Sequence, residues 1–369
     1  NLYLGAAMKK FTDGKKEILL QTQGLSLISK TLQNGKERLS SKEFANCDAL
    51  QKAFVKKQVD ALKKGFIYEN KKAKFGEALA HTYIGGGYSG ALGFAEFEDK
   101  FYVYKCNFDE HGCDYLIVLD GELRTLAQIK LPKILAWKMT ATKKALVLDL
   151  DHEFFLFDGE KFSRLFEAWD IIGGGFSSAL SGNGEILACG TDGILAFGSD
   201  KKLNFKTEFS AKAIGFGNKI CVACGDEGGK NIARLYRLKD FAELCRIECD
   251  VGYIHSLNVG LIKNDAILVV NNGFDELYFW DVASKKRLSV PKSLPRSVMR
   301  FAANNQIFLT YFYGRFKAFS LEDFRLLGEF ECEHCVKTAA IEIAGERLYV
   351  RTDYGFFSIY SLAENGIKI

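Results

Sequence analysis

The chain has 369 residues, 48% of them apolar and 26% charged, a balance that excludes a disordered polymer and suffices for more than one hydrophobic core. No apolar run approaches the ~18 residues needed to span a bilayer, so no membrane partner is expected. The net charge of +4 hides an asymmetry, because residues 8–74 carry 16 Lys/Arg against 7 Asp/Glu while the remainder carries 34 against 39, which points to an acidic partner for the N-terminal part.

In chain order, residues 1–7 (NLYLGAA) resemble the scar of a protease-cleavable tag and are set aside from the fold. Counted from Met8, the start MKKFTDGKKEILL has no apolar stretch before Asp13, Lys15, Lys16 and Glu17, so no secretory leader is expected and the expected location is cytoplasmic. Between Lys16 and Leu39 the runs EILLQT, LSLISKTL and ERL are separated by Gly24 and by Asn34-Gly35, the grammar of a small antiparallel sheet. An amphipathic helix follows, with Ser40, Ser41 or Asn46 as entry cap, Asp48 in its first turn and Lys63-Lys64-Gly65 as its exit. On a helical wheel Cys47, Leu50, Phe54, Ala61 and Leu62 share one face, and Lys52, Lys56 and Lys63 share the opposite one. A charged stripe of this kind is either a solvated face or a patch for nucleic acid or an acidic protein.

Strands followed by SKEF-x4-ALQKAFVKKQVDALKKGFI (Ser41–Ile67) form an order that resembles the WGR domain, found in poly(ADP-ribose) polymerases and in several bacterial proteins. That family's helix, rich in Ala, Phe and Lys, ends in a Lys-Lys-Gly-aromatic element, matched here by Lys63-Lys64-Gly65-Phe66. The Trp-Gly-Arg tripeptide is absent, and its turn corresponds to Gln33-Asn34-Gly35-Lys36-Glu37-Arg38. The resemblance implies contacts with DNA or neighbouring domains, for which Lys36 and Arg38 could supply charge but not indole stacking. The expected organisation is a basic WGR-like α+β domain at 8–70, a linker at 71–74 and a second domain at 75–369.

The second domain reads as a repeat. KFGEALAHTYIGGGYSGAL (Lys74–Leu92) matches KFSRLFEAWDIIGGGFSSAL (Lys161–Leu180), and innermost-strand starts fall near Ala91, Lys133, Ile171, Ala211, Val251, Ser297 and Val336. A period of roughly 40 residues holding four short apolar runs cut by turns is the pattern of a β-propeller blade, and seven such units are expected. Trp280-Asp281, in LYFWDVASKKRL, stands where WD-repeat proteins carry their dipeptide, so 75–369 resembles a degenerate WD-repeat propeller; that resemblance implies a rigid platform for protein partners. The last unit has three strands and only the stub Ile367-Lys368-Ile369 after them, so its fourth strand is expected from 75–84.

Motifs for chemistry are sparse. Gly85-x-Gly87-x-x-Gly90 fits a dinucleotide fingerprint in spacing, but no βαβ unit follows, and it reads as a glycine-rich entry to an inner strand. The ten cysteines are expected as thiols. Cys332, His334 and Cys335 have zinc-ligand spacing but no second pair nearby, so no metal is expected, and Asp149, Asp151 and Glu153 read as turn residues rather than a cation site. No HExxH or GxSxG occurs, and neither a cofactor nor an enzyme is expected. The expected function is a non-enzymatic interaction protein: Lys36, Arg38, Lys52, Lys56, Lys57, Lys63 and Lys64 dock an acidic partner while the propeller's loop face binds a protein. Nucleic-acid binding through the basic module, and an enzyme with its site in the propeller channel, are the alternatives.

Overall fold

The computed structural model describes residues 8–87, 91–107, 113–167, 177–181, 185–190, 192–197, 203–251, 258–272, 276–334 and 338–363. The fold is mainly β, with a propeller arrangement of sheets. At the N-terminal end, β1 (Met8–Thr12), β2 (Lys16–Gln23), β3 (Ser26–Gln33) and β4 (Lys36–Glu43) form an antiparallel meander. Asn34 and Gly35 join β3 to β4 with φ of 50° and 72°, the pair of positive values that a two-residue hairpin turn requires and that this dipeptide adopts cheaply. Because β4 continues through Ser40 and Ser41, neither serine starts the helix; α1 (Cys47–Lys63) is capped by Asn46, whose side chain accepts from the Ala49 amide at 2.9 Å. The buried stripe of α1 is Leu50, Phe54, Gln58, Ala61 and Leu62, packed on β2 and β3 through Leu20 and Leu27, whereas Cys47, expected on that stripe, is exposed.

Six separate four-stranded antiparallel sheets follow, covering 94–130, 136–167, 177–207, 211–248, 258–288 and 300–331. Each is a meander in chain order, and the first strands of successive sheets lie against one another, which makes them the innermost strands. These strands start at Phe94, Ala136, Ser177, Ala211, Asn258 and Arg300, against expected starts of Ala91, Lys133, Ile171, Ala211, Val251 and Ser297. Ile171 and Val336 lie outside the described residues, as do Gly90 and the stub at 367–369. The second strand of a sheet is covered on both faces: all five residues of Leu146–Leu150, Asp149 included, are buried. Residues three apart on a strand point to opposite faces, and Cys221 and Cys224 belong to two different core clusters.

The remaining strands form one nine-stranded sheet. Its order begins with Ala339–Ala344, Arg347–Thr352 and Phe356–Ser361, continues with β6 (Ala78–Tyr83) and β5 (Ile67–Glu69), and ends with β1, β2, β3 and β4. β6 therefore has the last strand on one side and the N-terminal strands on the other. It pairs Tyr83 with Phe356 and His81 with Ser358 on one edge, and His81 with Tyr68 on the other. β4, the outer edge, is exposed along its whole length and carries Lys36, Glu37, Arg38, Lys42 and Glu43, charges that discourage further strand pairing.

The end of this sheet meets the first four-stranded sheet through aromatic contacts, with Phe94 against Phe357 at 5.3 Å and Phe101 against Tyr349 at 5.4 Å between ring centroids. Arg351 is fully buried at the same junction. Its Nη2 donates to the carbonyls of Gly85 at 2.9 Å and Tyr104 at 3.0 Å, and its Nη1 to that of Thr352 at 2.6 Å. Burial pushes its guanidinium down to about 10, and the three carbonyls answer its charge. Losing a donor costs about 1–3 kcal/mol for each buried carbonyl left unsatisfied, so Arg351→Met is expected to lower the urea midpoint well below that of the wild type. An unchanged midpoint would show that Gly85 and Tyr104 do not depend on this side chain.

Candidate functional site

The basic surface is assembled from α1 and the sheet beneath it. Lys52, Lys56, Lys57 and Lys64 are exposed and form no ion pair with any described residue. Lys63 behaves differently. Its ammonium lies 5.5 Å from the ring centre of Tyr83 and 5.8 Å from that of Tyr354, so it covers aromatic rings next to β6 rather than joining the outward stripe with Lys52 and Lys56. The β2, β3 and β4 register places Lys16, Gln33 and Lys36 on one sheet face with Thr31 and Arg38, and these residues line a groove of 360 Å³ together with Asn34 and Glu37. Lys16 lies 6.0 Å over Phe66, immediately beyond α1, which sets this groove alongside the C-terminal end of the helix. Lysines at that end also complement the helix dipole.

A second constellation is buried where the N-terminal strands meet the propeller. His81 on β6 makes a 2.7 Å hydrogen bond between its Nδ1 and Ser358 Oγ, and stacks on Tyr68 of β5 at 5.3 Å. Its Nε2 faces Glu333 Oε2 at 3.3 Å, and His334 Nε2 faces the same oxygen at 3.6 Å; neither contact has hydrogen-bond geometry. Lys9 of β1 donates to both Glu333 oxygens at 2.5 Å, and the Glu333 amide donates to Tyr360 Oη at 2.8 Å. Burial alone would raise the Glu333 carboxyl, but His81 and Lys9 beside it hold it well below the usual carboxylate range. Burial pushes His334 down to about 3, with His81 and Lys9 acting in the same direction.

The third is the mouth of the ring. A cavity of 600 Å³ is lined by innermost-strand residues of several sheets, among them Phe94, Lys138, Ser177, Asn258, Arg300 and Glu342. Lys138, Arg300 and Glu342 are open to water yet surrounded by protein on most sides, as in a solvent-filled tube. Desolvation there lowers Lys138 and Arg300 and raises Glu342. Behind Lys138, the buried Asp149 accepts from Ser178 Oγ and from the His152 amide, and Lys138 Nζ donates to the Ser178 carbonyl. Arg300 donates to Asn258 Oδ1 at 3.1 Å.

The other expected candidates separate. Glu153 pairs with Lys133 and Arg164, so it does not converge with Asp149. Cys335 lies outside the described residues. Cys332 is buried, its Sγ accepting from Tyr360 Oη at 3.8 Å, while His334 turns to His81 and Glu333. The sequence reading did not single out His81, Glu333, Lys138 or Arg300; the first two come together only when β6 pairs with a strand at the far end of the chain. No family model matches the chain, and no curated protein matches it.

The thiols divide by environment. Burial pushes Cys189, Cys221 and Cys249 up to about 12 and Cys224 well above its ordinary value, whereas Cys47 is exposed. Since the thiolate is the reacting form, Ellman's reagent is expected to modify Cys47 rapidly in the native protein and the four buried thiols only as fast as the protein unfolds. A rapid phase that includes those four would contradict their placement.

Proposed function

We propose that this chain is a non-enzymatic interaction protein, with a propeller as protein-binding platform and a basic N-terminal module that docks an acidic partner. The observation that carries this reading is the set of exposed lysines Lys52, Lys56, Lys57 and Lys64, which pair with no described residue, on and at the end of a helix packed against the nine-stranded sheet. Elsewhere basic side chains are commonly neutralised, as in Arg234 with Glu227, Arg246 with Glu243 and Lys317 with Glu329. Unpaired charge steers an oppositely charged ligand, and Lys36 and Arg38 extend the surface along β4.

In this reading the four strands Ala339–Ala344, Arg347–Thr352, Phe356–Ser361 and β6 form a seventh blade, closing a ring with the six four-stranded sheets. The placement of Trp280 inside the strand Leu277–Asp281 agrees with a WD-repeat-like layout, and the order of meander then helix agrees with a WGR-like module. Partner-facing surfaces on both parts raise effective concentration even where each contact is weak.

Nucleic acid is the second reading, favoured by the same lysines. The two separate in one experiment, in which the triple variant Lys52→Glu, Lys56→Glu, Lys57→Glu is compared with the wild type by affinity capture from native cells, with and without nuclease. Lys63 is left intact because it covers Tyr83 and Tyr354. The expected result is unchanged thermal stability, a captured acidic protein that survives nuclease, and its loss in the variant. Capture that vanishes with nuclease, together with binding to nucleic acid that weakens steeply with salt, would replace the first reading with the second.

A further inference from the structure

We propose that His81, Glu333 and His334 form a binding site for a divalent zinc-class cation, which clamps the N-terminal strands to the propeller. The side chains of His81 and His334 are almost fully buried, and the Nε2 atom of each has no hydrogen-bond partner among the described residues. An imidazole nitrogen buried without a partner forfeits its hydration. Here two of them face one carboxylate oxygen, and all three donor atoms lie within 4.8 Å of one another. Two histidines and a carboxylate are the donor set that suits zinc, with a fourth position left for water.

The spacing fits as well as the chemistry. Donors held about 2.0–2.2 Å from a tetrahedral zinc stand about 3.4 Å from each other, and the contacts of Glu333 Oε2 with the two imidazoles are 3.3 and 3.6 Å. Ser358 provides the supporting contact. With the His81 proton on Nδ1, donated to Ser358 Oγ at 2.7 Å, Nε2 is the lone-pair nitrogen, and it lies on the side of the ring nearer the carboxylate. Glu333, a third exposed, gives the cation a route in.

Lys9 opposes the cation. Its ammonium meets both Glu333 oxygens at 2.5 Å, and it can keep Oε1 while Oε2, the oxygen nearest the imidazoles, turns to the metal. Like charge nevertheless weakens binding, and its removal is expected to tighten it about tenfold. The liganding side chains come from β6 and from the segment after the strand Leu326–Glu331, and Lys9 comes from β1, so occupancy would stiffen the junction of all three.

The test is titration of the full chain, stripped with chelator, with zinc and separately with cobalt(II) as a spectroscopic probe. The expected result is one ion per chain, a raised melting temperature reversed by chelator, and visible cobalt bands of a tetrahedral N/O site. Glu333→Gln and His334→Gln, each checked for native near-UV circular dichroism, should lose the ion, and Lys9→Met should bind it about tenfold more tightly. Failure of the wild type to take up one ion, binding unweakened in both Gln variants, or Lys9→Met binding no tighter than the wild type would each overturn the proposal. A cobalt–thiolate charge-transfer band would also overturn it, by assigning the ion to cysteine. If His334→Gln does not fold, Glu333→Gln and Lys9→Met decide the matter between them.

Discussion

Much of this structure depends on β6, a six-residue strand hydrogen-bonded on both sides. On one edge it completes the sheet of the chain's last three strands, and on the other it accepts β5, which in turn carries β1 and the N-terminal meander. The β5 links are short: β5 meets β6 through Tyr68 and Glu69, and meets β1 through Ile67 and Tyr68. Backbone pairing of that length is weak by itself. What reinforces it is a shared core in which Phe11, Leu50, Phe54, Leu62, Phe66 and Tyr68 pack with Phe316, Val350, Phe356 and Tyr360. The ionic cluster of Lys9, Glu333 and His81 lies over the same seam.

This continuity fixes how the basic surface is presented. A lysine-bearing helix on a flexible tether would sample many orientations, and each docking event would cost the entropy of fixing it. Here the buried side of α1 is fixed to β2 and β3, and its C-terminal turn rests against the propeller through Lys63, Tyr83 and Tyr354. The charges of Lys52, Lys56 and Lys57, which pair with no described residue, are thereby presented in one fixed direction relative to the propeller.

The repeating part was legible because a strand buried on both faces is predominantly apolar, and its turns favour Gly, Asn or Asp. Runs such as LVLDL and IFLTYF announce themselves. Boundaries were less legible: the innermost strands at Phe94, Ala136 and Arg300 begin after the glycine, proline or serine punctuation that marked their expected starts. β1 and β5 escaped notice because one buries only Phe11 and the other is three residues long. The helix was readable from its Asn46 cap and its period, but the wheel gave no means of knowing that Lys63 would find two tyrosines, one of them in a turn of the last sheet. The cluster at His81 was invisible for the same reason in stronger form, since His81 and Ser358 are 277 positions apart and Lys9 and Glu333 are 324 apart. Sequence spacing conveys local geometry, and these contacts are products of strand pairing between the two ends of the chain.

The central claim is that the N-terminal strands and the propeller open as one unit through β6. Native-state hydrogen exchange across a series of urea concentrations tests it most directly. The account predicts that amides of β1, of β6 and of the strand Phe356–Ser361 converge on one opening free energy with one urea dependence. Exchange of β1 through a much cheaper opening, while β6 and Phe356–Ser361 remain protected, would contradict it.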